Sequence, residues 1–201
     1  MPSSFFAYLS RLRLIRRWSL MRNTIPENDA EHSLSVAMIA HAIAVIGNTC
    51  YDRSSNPEHI LALAVYHDAT EVMTGDLPTP VKYYSESLRG AYHHLEEISA
   101  RRLLSLLPPS LSPVFEPYLI QEKGYDRDIV KAADKISAYI KCLEEQRAGN
   151  HEFDYAAENI RAILSQNPYP EVQDFLRDYL PAYSMTLDEL NHPSQGGSQN
   201  D

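Results

Sequence analysis

An adjacent histidine and aspartate, His67 and Asp68, closely follow a strongly apolar stretch of the chain at positions 60–65. Buried imidazole and carboxylate groups cost free energy unless they are paired, hydrogen-bonded or bound to a metal. Glu71 lies four residues after His67 and three after Asp68, so on a helix all three side chains can project toward one region. The spacing therefore predicts a functional site in the C-terminal half of a helix.

Two further residues extend this candidate site. His32 lies near the start of one predicted helix and Asp134 in the middle of another. Two imidazoles and two carboxylates are mixed nitrogen and oxygen donors, which suit a borderline divalent metal and leave room for water. Manganese, cobalt, zinc and iron all fit this donor set. The two cysteines, Cys50 and Cys142, lack the spacing of a thiolate zinc site and cannot build a disulfide framework.

Each polar residue also has a structural interpretation when it is taken alone. His32 could be an ordinary residue in the first turn of a helix, and Asp134 an exposed helix charge. Arg17-Trp18 could form a cation–π contact at the surface, and Asp76 could cap a turn. It is the occurrence of the histidines and aspartates together that favours a metal site.

Composition limits the classes of protein that the chain can represent. Its 201 residues, 44% of them hydrophobic, suffice for a single domain, expected at 1–191, followed by a flexible polar tail at 192–201. A net charge of −9 argues against a nucleic-acid polymer as the main partner, because phosphate backbones attract Lys and Arg. The longest apolar run, 36–46, is too short to span a membrane and contains His41. With so few cysteines, a reducing, cytoplasmic compartment is expected.

Helical periodicity dominates the chain, and the fold class it predicts is all-α, a compact multi-helix domain. Helices are predicted at about 3–17, 28–47, 57–74, 85–107, 126–148, 153–165 and 170–180. Asn28 and Asn56 are suitable N-caps for the second and third of them. Residues 75–80, with one glycine and two prolines, form a restricted loop in this interpretation. Glu144 and Glu145 are interpreted as a solvated face or part of a subunit contact.

The first 23 residues are basic, with five arginines and no acidic residue. A mitochondrial-type transit peptide has a similar composition. The alternative is a first helix whose apolar side chains are buried, followed by a continuation that is also partly buried. The side chains that this alternative would bury are Leu9, Leu12, Ile15, Trp18, Leu20 and Met21. A similar apolar stripe is predicted for the helix at about 85–107, formed by Leu88, Tyr92, Leu95, Ile98 and Leu103.

Seven segments of the chain point together to one known family. They are Phe5-Phe6-Ala7, Ser10-Arg11-Leu12, Arg17-Trp18, Glu31-His32-Ser33-Leu34, Tyr66-His67-Asp68-Ala69, Gly75-Asp76-Leu77-Pro78-Thr79-Pro80-Val81-Lys82-Tyr83 and Tyr139-Ile140-Lys141-Cys142-Leu143-Glu144-Glu145. With them the chain resembles the bacterial 5'-deoxynucleotidases of the YfbR type, over about residues 5–190. Its histidines and aspartates also follow the H...HD...D order of the HD-domain phosphohydrolases. The dipeptide alone is weak evidence, whereas the surrounding segments are specific.

The resemblance implies hydrolysis of deoxyribonucleoside 5'-monophosphates by a homodimer with one divalent metal ion, Co2+ or Mn2+ before Zn2+, Cu2+ or Fe2+. The implied metal ligands are His32, His67, Asp68 and Asp134. It implies that Glu71 manages the proton of the attacking water, that Arg17 holds the phosphate and that Trp18 packs against the nucleoside. The implied substrate contacts also include the sugar pocket residues Asp76, Leu77, Pro78 and Thr79, and the ligands His32, Asp68 and Asp134.

Selectivity for deoxyribose would follow if the restricted loop at 76–79 gives a 2'-hydroxyl neither space nor a partner. Other HD phosphohydrolases, acting on nucleoside triphosphates or cyclic nucleotides, remain alternatives, although the chain lacks the additional HHE and GYP motifs of cyclic-dinucleotide enzymes. A catalytically silent nucleotide-binding module is a further alternative. The presence of Glu71 and Arg17 argues against such a silent domain.

Overall fold

The computed structural model describes residues 2–82 and 84–191, except for the side chain of Thr79. The regular secondary structure of these residues consists of helices. In chain order they are α1 (Phe5–Leu9), α2 (Asp29–Cys50), α3 (Pro57–Val65), α4 (Glu71–Thr74), α5 (Thr79–Lys82), α6 (Glu86–Leu104), α7 (Ser112–Leu119), α8 (Tyr125–Arg147), α9 (Asp154–Ser165), α10 (Pro170–Asp178) and α11 (Leu187–Asn191). Short 3-10 turns occupy Ser10–Leu14, His151–Phe153 and Leu180–Ser184. Within these ranges the β structure is one isolated bridge, between Arg16 and Asn28. The all-α prediction is confirmed.

The two longest helices, α2 and α8, form the centre of the molecule, and α3, α9 and α10 pack around them. The apolar faces of α2, α3, α8 and α10 meet in one core, whose most buried members include Val36, Ala40, Ile43, Ile60, Ile129, Ile136 and Val172. Asn28 caps α2, because its side chain accepts hydrogen bonds from the backbone N–H groups of Ala30 and Glu31. Asn56 caps α3 in the same way. Both caps agree with the sequence prediction.

By length and composition alone, α2 is apolar enough to cross a membrane. One face of α2 is instead covered by other helices, with Val36, Ala40 and Ile43 completely buried, whereas Leu34 and Met38 are exposed. The same helix also buries Asp29 and His32. A central position in the core therefore accounts for the hydropathy of α2.

The first helix was predicted at about 3–17, and this prediction is wrong beyond Leu9, where α1 ends. The chain continues as a 3-10 turn to Leu14 and then becomes extended, because Arg16 bridges to Asn28. Phe5 is completely buried against Leu103 and its neighbours, and Leu12 is also buried, whereas Leu20 is exposed. This packing supports the interpretation as a structural segment over the interpretation as a transit peptide.

The predicted helix 57–74 is interrupted between Val65 and Glu71. Hydrogen bonds from His67 N to Ala64 O and from Glu71 N to Asp68 O skip three residues instead of four, so the chain tightens into turns here. His67 and Asp68 therefore lie in a turn between two helices, and the prediction that they lie on a helix is wrong. The restricted loop is shorter than predicted, since α5 begins at Thr79.

Two other predictions need correction. Of the apolar stripe on α6, Tyr92 and Leu103 are buried, but the other three side chains are exposed: Leu88, Leu95 and Ile98. Helix α7 was not predicted, because prolines at 113 and 117 disguise its pattern, although one lies in the first turn, where proline is tolerated. The remaining long helices agree with the predicted bounds to within about three residues at each end. The predicted flexible tail, 192–201, lies outside the described residues.

Close packing at the C-terminal half of α2 predicts the effect of adding one methyl group. A Cβ on Gly47 would lie 2.7 Å from Tyr125 Oη, whose hydroxyl donates to the buried Glu171. Gly47→Ala should therefore lower the free energy of unfolding by about 1–3 kcal/mol. Gly90→Ala is the matched control, because a Cβ there meets nothing within 4 Å and should stabilise α6 by up to about 1 kcal/mol. Urea unfolding measures both, and equal effects would contradict the packing.

Candidate metal centre

Three donors converge on one point at the N-terminal end of α2. One ligand atom each of His32, His67 and Asp68 lies within 4.8 Å of the others. Asp134, from the middle of α8, joins them, with its Oδ1 at 3.0 Å from His32 Nε2. His67 Nε2 lies 3.0 Å from Asp68 Oδ2. The structure thus brings together all four residues that the sequence suggested as metal ligands.

Both imidazole rings present their Nε2 atoms to this point, because the opposite nitrogen of each ring is occupied. His67 Nδ1 lies 2.7 Å from the carbonyl oxygen of Ala64 and donates its proton there. His32 Nδ1 lies 3.2 Å from Ser137 Oγ and 3.7 Å from Glu27 Oε1. Hydrogen bonding of the distal nitrogen is the arrangement that metal-binding histidines show.

One atom gives an independent test of whether the residues fit a metal. His67 Nε2 is buried and makes no hydrogen bond among the described residues, because with the proton on Nδ1 the neutral ring turns a lone pair toward Asp68 Oδ2, itself an acceptor 3.0 Å away. A buried polar atom without a partner costs free energy, and most such atoms are satisfied by water or an ion. The unpartnered nitrogen, the adjacent carboxylate oxygens and the absence of thiolates together fit a divalent cation with open positions.

Arg17 lies beside the four donors. Its Nη1 donates to Asp68 Oδ2 at 3.2 Å and lies 3.5 Å from Asp29 Oδ1, while its Nε lies 3.4 Å from Glu27 Oε2. Burial alone would lower the pKa of Arg17, but the surrounding carboxylates outweigh burial and raise it. The guanidinium is therefore a fixed positive charge at the edge of the donor cluster.

Glu71 and Asp29 form a buried pair of carboxyl groups next to Arg17. Burial, together with Asp68 and Asp29, raises the pKa of Glu71 to about 11, and burial raises the pKa of Asp29 to about 6. Among the described residues, both Asp29 oxygens and Glu71 Oε2 lack hydrogen-bond partners, and a proton on Glu71 would let it donate to Asp29. The pair can therefore hold a proton close to the metal ligands.

Asp29 and Glu27 are site residues that the sequence prediction missed. Asp29 follows the predicted N-cap Asn28 and is not singled out by the sequence analysis, although it precedes His32 by three residues and so shares a helix face with it. That spacing was the available signal. Glu27 contacts Arg17, Trp18 and His32 from a non-helical segment, where no periodicity could indicate it.

The predicted substrate-binding residues are placed unequally. Asp76 is near the site: burial raises its pKa, and Arg17 opposes this rise. Leu77 and Pro78 are half-buried in the adjoining loop, and the side chain of Thr79 is outside the described part of the chain. Trp18, with a positive φ of 57°, packs its indole on Phe153 with ring centroids 5.2 Å apart and donates from Nε1 to Glu27. Their contacts with a substrate stay predictions.

The interpretation of Glu145 as a solvated or subunit-contact residue is wrong, because its side chain is completely buried. It forms an ion pair with Lys141 one turn earlier on α8 and accepts hydrogen bonds from Thr24 and Ile25. Its neighbour Glu144 is exposed, as predicted. Periodicity alone could not reveal that a distant segment covers Glu145.

Sequence comparisons identify close relatives along nearly the whole chain. The YfbR-like 5'-deoxynucleotidase family matches residues 4–183. A 5'-deoxynucleotidase of Vibrio parahaemolyticus is 47% identical over 191 residues, which cover 94% of this chain and 98% of that protein. The 5'-deoxynucleotidase YfbR of Shigella boydii is 46% identical over 195 residues, which cover 96% and 98%.

Solved structures with the same fold are more distant in sequence. An HD-domain phosphohydrolase from Listeria innocua is similar with a TM-score of 0.74 at 24% identity, over 90% of this chain and 88% of that one. The HD phosphohydrolase DatZ of cyanophage S-2L, bound to dA and one catalytic Zn2+ ion, gives a TM-score of 0.59 at 22% identity, over 87% and 93%. These similarities establish the HD-domain fold.

Proton competition at His32 predicts the pH dependence of metal affinity. Burial favours the neutral ring, but hydrogen bonds to Asp134 and Glu27 outweigh burial and raise the pKa of metal-free His32 to about 9. Because a metal binds only the neutral imidazole, Mn2+ affinity should rise from pH 6 to about 9, by about tenfold per pH unit for each proton displaced. Titration calorimetry measures this rise. His32→Ala should abolish the binding, the exposed His151→Ala should not, and a pH-independent affinity contradicts the site.

Proposed function

The chain belongs to the YfbR-like 5'-deoxynucleotidase family and is a phosphoric monoester hydrolase, and we propose that it hydrolyses deoxyribonucleoside 5'-monophosphates in a metal-dependent reaction that discriminates against ribonucleotides. The observation that carries the proposal is the convergence of His32, His67, Asp68 and Asp134 beside Arg17. The donors can hold one divalent cation, and the guanidinium can bind the phosphate that must lie next to it.

His32, His67, Asp68 and Asp134 would hold the cation, through Nε2 of each ring and the carboxylate oxygens. A divalent cation in such a site lowers the pKa of water and polarises a phosphoryl oxygen. Manganese or cobalt suits two imidazoles with two carboxylates. The catalytic Zn2+ described for the cyanophage protein is compatible with this proposal, but at 22% identity that protein supports the fold alone.

Arg17 would bind and orient the phosphate. A guanidinium offers a planar fork of N–H donors that matches two phosphate oxygens, and it offsets the negative charge that builds up in the transition state. In the structure this fork is held by the carboxylates of Asp68, Asp29 and Glu27. These contacts engage Nη1 and Nε, so a phosphate would approach the Nη2 side of the guanidinium.

Glu71 would manage the proton of the attacking water. Among the described residues its buried Oε2 has no hydrogen-bond partner, which leaves this atom available to a water held in the site. As the bond from water to phosphorus forms and the bond to the 5'-oxygen breaks, a proton of the water would pass to the pair formed by Glu71 and Asp29, and the pair would return a proton to the departing nucleoside. Asp29, which shares a proton with Glu71, keeps such a transfer local.

Discrimination against a 2'-hydroxyl is assigned to the segment after α4. Gly75 adopts a positive φ of 72°, and Pro78 and Pro80 restrict the residues that follow. A restricted pocket that offers a hydroxyl no hydrogen-bond partner penalises it by desolvation. The names of the relatives, 5'-deoxynucleotidases in each case, support this preference.

The proposed substrate preference has a direct test. After chelation of metals, release of phosphate from dAMP should be lost, and it should return on addition of Mn2+ or Co2+. With metal restored, kcat/KM for AMP should be about a hundredfold below that for dAMP, as for other pockets that reject an added hydroxyl. A phosphate-release panel of deoxy- and ribonucleoside mono- and triphosphates measures this ratio. Equal cleavage of dAMP and AMP would contradict the selectivity, and full activity in chelator would contradict the metal dependence.

Replacing Glu71 separates catalysis from metal binding. Glu71→Gln keeps the size of the side chain but removes its ability to exchange a proton with water and with Asp29, so kcat should fall by about 10²–10⁴. Metal content, measured by elemental analysis, should not change. Glu31→Gln, at an exposed glutamate in the first turn of α2, is the matched control and should retain full turnover. Undiminished kcat in Glu71→Gln would remove Glu71 from the mechanism.

A further inference from the structure

Arg17 lies on a non-helical segment of residues 15–28, called here the strap, which joins the first 3-10 turn to α2. The two ends of the strap meet: Arg17 N donates to Glu27 O at 3.2 Å, and Asp29 N donates to Ile15 O at 3.2 Å. Both Arg17 and Glu27 therefore enter the site from the base of a closed loop. The position of the guanidinium depends on what holds this loop.

The tip of the strap is held by one buried carboxylate, that of Glu145 on α8. Thr24 N donates to its Oε2 at 2.9 Å and Ile25 N to its Oε1 at 3.0 Å. The hydroxyl of Thr24 also donates to Oε2, and Asn150 Nδ2 donates at 2.8 Å. Four donors thus surround a carboxylate that is completely buried.

Lys141 completes the arrangement from one turn earlier on α8. Its ammonium forms an ion pair with Glu145 and donates to the carbonyl oxygen of Ile25. Lys141 is itself 3% exposed, so neither charge is screened by solvent. Removing one partner of a buried pair leaves the other uncompensated, which is strongly unfavourable.

Apolar contacts anchor only part of the strap. Trp18 and Met21 pack against Phe153, but Leu20 is 68% exposed and Ile25 49% exposed. The tip, at residues 22–26, is consequently held mainly by polar bonds to α8 and to the turn that follows it. The same helix carries Asp134 and Ser137, about three turns and two turns before Glu145.

We infer that Glu145, with its charge balanced by Lys141, is a positioning residue that fixes the strap on α8 and thereby sets the place of Arg17 relative to the metal ligands. The proposed mechanism does not otherwise use Lys141 and Glu145, and their role in this inference is to hold the strap. The inference rests on the proposed function of Arg17 in phosphate binding. A glutamine cannot replace the carboxylate, because its amide has one acceptor oxygen and would direct N–H groups at other donors.

Steady-state kinetics of Glu145→Gln with dAMP tests the inference. The KM should rise by about 10- to 100-fold, as expected for loss of a charged hydrogen bond to phosphate, and any fall in kcat per bound metal should not exceed that of Arg17→Ala. Arg17→Ala should raise the KM by a similar factor. In the double variant the two effects should not multiply, since both remove the same contact. Glu144→Gln, which removes the neighbouring exposed charge, is the matched control and should behave as the parent protein.

A purely structural role for Glu145 gives a different pattern. It would lower the active fraction and hence kcat, leave the KM unchanged, and act in full in the Arg17→Ala background. Thr24→Val keeps the test available if Glu145→Gln does not fold, because it removes one hydroxyl donor and leaves the ion pair intact. It should raise the KM about threefold, and an unchanged KM in the folded variants overturns the inference.

The same set of variants distinguishes the two levels of the proposal. If Arg17→Ala raises the KM but Glu145→Gln and Thr24→Val do not, only the positioning inference fails. If Arg17→Ala itself leaves the KM unchanged, the proposed role of Arg17 in phosphate binding fails, and the inference fails with it.

Discussion

An excess of buried negative charge at one end of α2 is the constraint on which the rest of the site depends. Six carboxyl groups interact there with one arginine and two imidazoles. They belong to Glu27, Asp29, Asp68, Glu71, Asp76 and Asp134. Carboxylates removed from water each cost several kcal/mol unless they are compensated, so proteins respond with paired charges, retained protons or bound cations. Here Arg17 compensates part of the excess, the raised pKa of Glu71 favours its neutral form, and a divalent cation would compensate the remainder.

The helices bring these groups together from distant parts of the sequence. Helix α2 supplies His32 and Asp29 from its buried first turns, and α8 supplies Asp134. The chain tightens between α3 and α4, which places His67 and Asp68 side by side against α2. The strap carries Arg17 and Glu27 to the same site, and Glu145 of α8 holds its tip. One helix, α8, therefore carries Asp134 of the donor cluster and also holds the segment that carries Arg17.

Sequence reasoning grouped His32, His67, Asp68 and Asp134 as candidate metal ligands because their types are informative, and the structure brings the four side chains together. It placed His67 and Asp68 on a helix, because the apolar run from Ile60 to Val65 is typical of a helix. No local pattern indicates where backbone hydrogen bonds to the third preceding residue replace those to the fourth. The prediction that Glu145 lies on a solvated face or in a subunit contact was wrong for a related reason. The N–H groups that hydrogen-bond to Glu145 belong to Thr24 and Ile25, more than a hundred residues earlier. A local sequence pattern cannot indicate a contact across that separation. The family resemblance supplied Arg17, whereas Asp29 needed the structure.

The central claim, that His32, His67, Asp68 and Asp134 bind one divalent cation beside Arg17, is tested most directly by anomalous diffraction from crystals of the protein loaded with Mn2+ and inorganic phosphate. The expected result is a single anomalous peak within bonding distance of both Nε2 atoms and of both aspartates, with phosphate between the peak and the guanidinium. Absence of a peak from this position, or a peak that leaves either histidine unbound, would contradict the claim.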